Sequence, residues 1–189
     1  MSNLYWGYIM MNPWHDFEKE RVTPEKFVSL IEIPKKCHKK YELDKKTGLI
    51  RLDRILFTST HYPQNYGFIP LTLSDDGDPL DVLVLCQEEL DILTIVDCYP
   101  IGVLKMTDDN ETDEKIIAIP YSDPSLNMYN DISELPKHQF DEIKHFFEVY
   151  KMLEEKVTVV DEICGREEAL KVIQNCIDAY DTNVRKYLK

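Results

Sequence analysis

The sequence predicts an α+β domain in which a β core comes first and two helices pack on it afterwards. Three observations carry this reading. From residue 27 to about 104, apolar residues fall in short alternating or continuous runs broken by turn formers, a strand pattern without a helix-length period. In the last third the apolar spacing changes to that of a helix face. The length of 189 residues, with no internal repeat and no Gly/Ser-rich linker, predicts one domain over residues 1–189. A barrel or sandwich flanked by helices satisfies all three.

The elements follow in order. Residues 27–33 form a strand stopped by Pro34, which cannot donate to a ladder. Residues 40–44 and 49–54 form a hairpin around Lys45-Lys46-Thr47-Gly48, where Gly48 can take the left-handed conformation. Runs 80–85 and 92–96 have the composition of buried strands. Residues 101–108 and 114–119 read as the legs of a second hairpin with the polar tip Asp109-Asn110-Glu111-Thr112, which would set Asp108 opposite Asp113. After Pro136, Phe140, Ile143, Phe147 and Tyr150 recur at helical spacing, and after Gly165 so do Ala169, Ile173, Ile177, Tyr180 and Val184.

Composition narrows the function. Acidic residues number 35 against 22 basic, a net charge of −13 that argues against nucleic acid or an anionic membrane as partner and favours cations. The five cysteines, at positions 37, 86, 98, 164 and 176, form no CxxC pair and read as reduced thiols. The first sixteen residues hold no Lys or Arg and no continuous apolar core of signal-peptide length, and no stretch approaches the roughly 20 apolar residues a membrane helix needs. A cytoplasmic protein is expected.

Chemistry concentrates in Asp75-Asp76-Gly77-Asp78-Pro79-Leu80-Asp81, where four carboxylates crowd seven positions before an apolar run. Such carboxylates raise each other's pKa unless a cation neutralises them, although Asp-Gly and Asp-Pro also make ordinary solvated turns. An EF-hand fits poorly, because Leu80 stands at the fifth ligand position and Gly77 is not at the sixth. A second acidic group, Asp108, Asp109, Glu111, Asp113 and Glu114, is by itself an exposed hairpin tip. With the first group it offers an all-oxygen site suited to Mg²⁺ or Mn²⁺ rather than zinc, since no His or Cys spacing accompanies it. Arg54 shares its strand face with Ile50 and Leu52, and Glu32 with Val28 and Leu30; each is either a strand-end charge reaching solvent or the mouth of a site. Tyr62 and Tyr66 flank a Pro63-Gln64-Asn65 turn, and Tyr150 lies on an apolar helix face with Lys151 at its edge. The five histidines lack metal-ligand spacing and read as surface residues, and GxSxG, GxxxxGK[ST], HExxH and GxGxxG are all absent.

Through Asp76-Gly77-Asp78-Pro79-Leu80-Asp81-Val82 the chain resembles the soluble inorganic pyrophosphatases of family I. The resemblance extends through Ile31-Glu32-Ile33-Pro34, Lys40-Tyr41-Glu42, Asp53-Arg54, Tyr62-Pro63-Gln64-Asn65-Tyr66-Gly67, residues 102–108 and residues 145–151, covering about 20–155. It implies a five-stranded OB-type β-barrel with flanking C-terminal helices, and Mg²⁺-dependent hydrolysis of pyrophosphate to two phosphates without a covalent intermediate, with Mn²⁺ or Zn²⁺ as substitutes. By the same resemblance Asp76, Asp81, Asp108 and Asp113 would ligate the metal, Glu32 would stand in its outer shell, and Asp78 would deprotonate the attacking water. Lys40, Arg54, Tyr66, Lys115, Tyr150 and Lys151 would hold the phosphates, with Glu42, Tyr62 and Asp109 in support. Asp109 stands where the family often has Glu. The short chain looks like the bacterial-type members, which implies a homohexamer. The alternative from another class is a non-catalytic OB-type module that binds an anion or single-stranded nucleic acid through Arg54 and the tyrosines.

Overall fold

The computed structural model describes residues 12–108 and 111–185. Eight strands appear in chain order: β1 (Phe27–Ile33), β2 (Lys39–Leu43), β3 (Ile50–Ile55), β4 (Asn65–Phe68), β5 (Asp81–Val84), β6 (Ile95–Asp108), β7 (Glu111–Pro120) and β8 (Thr158–Gly165); helix α1 (Lys137–Val149) precedes β8, and α2 (Arg166–Asn183) follows it. Five strands close a ring in the order β1, β4, β5, β7, β6 and back to β1, with β5–β7 as its parallel pairing. The α+β, five-stranded barrel reading therefore stands, with both helices on the C-terminal side.

Closure depends on the 14 residues of β6. Its first part, from Ile95 to Cys98, pairs with β1, and its later part, from Gly102 to Asp108, pairs with β8, while β7 runs beside most of its length. Successive side chains of a strand face opposite sides. Val82, Val84, Ile116 and Ala118 thus enter the core shared with Ala169, Val172, Ile173 and Ile177 of α2, while Leu83, Leu85, Ile117 and Ile119 enter the core shared with Phe140, Ile143, Phe146 and Phe147 of α1. This two-sided burial explains why β5 and β7 carry continuous apolar runs rather than alternating ones. Each fully buried aliphatic or Phe side chain contributes roughly 1.5–3 kcal/mol, so packing of these faces, more than helix propensity, holds α1 and α2 in place.

Several local expectations change. The β2–β3 hairpin forms with Gly48 at φ 67°, but as a separate two-stranded sheet outside the ring. Leu49 and Leu52 are consequently more than half-exposed or nearly so, at 64% and 50%, and the apolar side of β3 is not a core face. The run 92–96 is mostly a turn, with Leu93 at positive φ and only Val96 buried. The segment around Tyr66 is strand β4 rather than a turn. Gly67 is required there, because a Cβ would lie 1.9 Å from the Leu30 carbonyl oxygen of β1. The last third also contains β8, an edge strand that the helical reading omits. The second hairpin turns more tightly than its sequence suggests: Asp108 pairs with Glu111, and Asp113 with Met106. Because 106 and 108 lie two apart, as do 111 and 113, Asp108 and Asp113 still share one face. His15, expected at the surface, is half-buried between Trp14 and Tyr180, with Nδ1 2.8 Å from the Tyr180 hydroxyl.

Candidate active site

One cavity of about 250 Å³ collects most of the sequence-selected residues. Glu32, Lys40, Glu42, Tyr62, Tyr66, Asp76, Asp78, Asp81, Asp108, Asp113, Tyr150 and Lys151 all line it. Arg54 and Lys115 stand behind its wall, and Asp109 lies outside the described residues.

The acidic loop between β4 and β5 is shaped by its own backbone. Gly77 adopts φ 83°, the Gly77 amide donates to the Ser74 carbonyl at 3.1 Å, and the Ser74 amide donates to the Asp78 carbonyl at 2.8 Å. The Asp78 amide in turn donates to Asp76 Oδ1 at 2.9 Å, which folds the two side chains onto the same side of the turn. Asp81 opens β5, opposite Phe68 of β4 and beside Lys115 of β7. That register brings the Lys115 ammonium 2.7 Å from Asp81 Oδ2, 2.8 and 2.9 Å from the two Asp113 oxygens and 3.1 Å from the Tyr66 hydroxyl. Tyr66 also donates to Asp81. Lys115 is only 2% exposed, and an unpaired ammonium so deep would lose its proton. Burial does pull its pKa down, but Asp113 and Asp81 overcome this and hold it well above the ordinary lysine value.

Burial acts oppositely on the acids. It raises the Asp76 and Asp81 carboxyls, Asp113 adding to both effects and Lys115 opposing them. Glu32, at the end of β1, is pushed up to about 8 by burial and by the neighbouring Asp81 charge, against the 2.7 Å bond its Oε1 accepts from the Leu43 amide. It is therefore a largely protonated carboxyl at neutral pH.

Further basic groups stand around the site, each paired with an acid. Lys40 of β2 stands 2.6 Å from Glu42 and 3.9 Å from Asp53. Arg54 of β3 is clamped by Asp53 at 2.5 Å and Glu154 at 2.9 Å, and its Nη2 is buried without a hydrogen-bond partner among the described residues. Lys151, immediately after Tyr150 at the end of α1, pairs with Asp108 Oδ2, while Asp108 Oδ1 is buried and has no hydrogen-bond partner among the described residues. Tyr62, Tyr66 and Tyr150 pack against Phe146 and Phe147, ring centroids 4.8 Å apart for Tyr62–Phe146 and 5.6 Å for Phe147–Tyr150. Burial raises the pKa of all three phenols, so each remains a hydroxyl donor.

The sequence places Lys45 only in a hairpin turn and does not single out Glu154. Lys45 lines the cavity from the tip of the β2–β3 hairpin and pairs with Asp78; Glu154 fixes Arg54. Their partners lie 33 and 100 residues away in sequence, so no local motif marks them.

The donor set fits a hard divalent cation: the acids lining the cavity have no sulfur or imidazole competitors beside them, and Asp108 Oδ1 is a buried acceptor lacking a donor among the described residues. Among the described residues, no three acids converge closely enough to enclose an ion; the ammonium groups of Lys45, Lys115 and Lys151 stand between them. Excess carboxylate beside basic and phenolic donors in one cavity is suited to a small polyanion carried with cations.

Comparison with known proteins agrees with this geometry. A family model described as inorganic pyrophosphatase matches residues 29–181. Soluble inorganic pyrophosphatase 2 of Chlamydomonas reinhardtii is 49% identical over 169 residues, 89% of this chain and 88% of that one. Among solved structures, the Helicobacter pylori inorganic pyrophosphatase is 43% identical with a TM-score of 0.82, covering 87% of this chain and 99% of that one. The Thermus thermophilus inorganic pyrophosphatase is 38% identical with a TM-score of 0.85, covering 90% and 99%.

Proposed function

The chain belongs to the inorganic pyrophosphatase family, metal-dependent enzymes that hydrolyse pyrophosphate, and we propose that it does so with Mg²⁺ through the residues of this cavity. The observation that carries the proposal is the convergence of Asp76, Asp78, Asp81, Asp108 and Asp113 with Lys40, Tyr66, Tyr150 and Lys151 around one small space. Membership in the family favours catalysis over a non-catalytic anion or nucleic-acid module.

Asp76, Asp81, Asp108 and Asp113 would hold the cations, with Glu32 in the outer shell. Bound there, divalent cations neutralise the phosphates and lower the pKa of coordinated water. Asp78 accepts the proton of the attacking water; half-exposed at the cavity mouth, it is reachable from solvent. Lys40, Lys151, Tyr66 and Tyr150 orient the phosphate oxygens, and Arg54, whose Nη2 has no partner among the described residues, adds positive charge from the hairpin side. Lys115 supplies charge from beneath Asp81 and Asp113. Glu42 keeps Lys40 in place, and Tyr62 packs against Tyr66. Developing negative charge therefore meets fixed donors rather than reorienting water. Direct attack by water needs no side-chain nucleophile.

Phosphate release from pyrophosphate, measured with millimolar Mg²⁺ and again with a chelator, tests this reading. Release should require the metal; equal release in both would remove Mg²⁺ from the mechanism. Among the described residues no helix is long and apolar enough to cross a membrane, and all five cysteines are free, which supports a cytoplasmic location. A homohexamer is the proposed assembly, which rests on the resemblance to the short bacterial-type members alone, and light scattering reading a single-chain mass would reject it.

A further inference from the structure

Lys45 is placed by three contacts that the reaction as described does not use. Its ammonium pairs with Asp78 Oδ1 and lies 5.6 Å from the centroid of the Trp14 ring, and its carbonyl accepts from Asn12 Nδ2 at 3.0 Å. Trp14 is a fixed platform, not a loose flap. It is 6% exposed, stacks on His15, donates from Nε1 to the Thr72 carbonyl at 2.9 Å, and accepts the Leu71 amide at 3.0 Å. Segment 12–16 thereby joins the hairpin tip to the loop that carries Asp76 and Asp78.

We propose that Lys45 is an internal cation that occupies the mouth of the acidic cluster in the metal-free protein, yields to the divalent ion when it binds, and so sets the Mg²⁺ concentration the enzyme needs. The inference rests on the reading of the aspartates as cation ligands. Exposure distinguishes Lys45 from the other site lysines: its side chain is 46% exposed, against 3% for Lys115 and 11% for Lys151. Lys115 and Lys151 are themselves buried and held by partly buried acids, whereas Lys45 can withdraw along the Trp14 face, where a cation keeps part of its stabilisation. Its charge is felt beyond its partner, since it also acts directly on the Asp76 carboxylate of the same turn.

Removing such a half-exposed competitor should strengthen Mg²⁺ binding by roughly two- to fivefold, the range of an exposed ion pair. The test is calorimetric titration of substrate-free protein with MgCl₂ at fixed ionic strength, for wild type, Lys45→Gln and Lys45→Arg. In a Trp6→Phe background, Trp14 emission is followed during the same titration. Tighter binding by Lys45→Gln, wild-type affinity restored in Lys45→Arg, and a Mg²⁺-induced change in Trp14 emission that Lys45→Gln abolishes would support the proposal. Equal or weaker binding by Lys45→Gln, or an emission change that persists without Lys45, would overturn it while leaving the cation site standing. No Mg²⁺ binding by wild type would overturn both.

Discussion

Replacing Glu32 by Gln should convert a pH-sensitive fold into a less sensitive one. The wild-type carboxyl is buried beside Asp81 and has its pKa raised from 4.5 to about 8. A folded pKa above the unfolded one means that the native state holds a proton the unfolded chain releases. The associated stability is fully present below about pH 4.5 and is lost as pH rises toward 8. Between those values one proton is at stake, which is ~1.4 kcal/mol per pH unit. From pH 5 to 8 the loss is about 4 kcal/mol, an order-of-magnitude figure for a buried group. Gln has the same shape, stays neutral, and keeps an oxygen to accept the Leu43 amide now 2.7 Å from Oε1. Urea unfolding of metal-free wild type and Glu32→Gln, followed by circular dichroism across that range, checks it. The variant's stability relative to wild type should rise by several kcal/mol from pH 5 to pH 8. A difference that stays constant with pH would refute the argument that Glu32 is held protonated.

Two further outcomes are expected. Calcium should bind yet fail to support turnover, because its bonds of about 2.3–2.6 Å, against about 2.0–2.1 Å for magnesium, acidify water less and displace the nucleophile; phosphate release during Ca²⁺ titration at fixed Mg²⁺ should fall, and full turnover with Ca²⁺ alone would refute the assignment. Gly67→Ala should destabilise the barrel by at least about 1–3 kcal/mol, since the new methyl meets the Leu30 backbone and not a movable side chain; an unchanged urea midpoint would show that β1 and β4 can separate at little cost.

What the sequence reveals follows from how local each cause is. β1, β5 and β7 are readable because burial on both faces demands continuous apolar runs, and α1 and α2 because each buries a single stripe. β4 is hidden: Asn65 resembles a turn residue, yet it is fully buried, accepting from the Lys35 and Leu90 amides and donating to the Glu88 carbonyl. Gly67 reflects the approach of β1, a cause 37 residues away at Leu30. β8 is hidden by its place at the sheet edge, where Asp161 and Glu162 face solvent and dilute the period. The acidic motif is readable because its carboxylates adjoin in sequence. The clamp of Glu154 on Arg54 and the reach of Lys45 to Asp78 arise only once distant segments meet.

The proton-accepting role of Asp78 is the central mechanistic claim, and Asp78→Asn tests it most directly. The amide preserves size but cannot take a proton from water. Steady-state phosphate release at saturating Mg²⁺ and pyrophosphate should fall by about 10²–10⁴-fold with an unchanged circular dichroism spectrum, while Asp75→Asn, one turn position outside the cavity lining, should stay near wild type. A rate for Asp78→Asn equal to that of wild type would contradict the account.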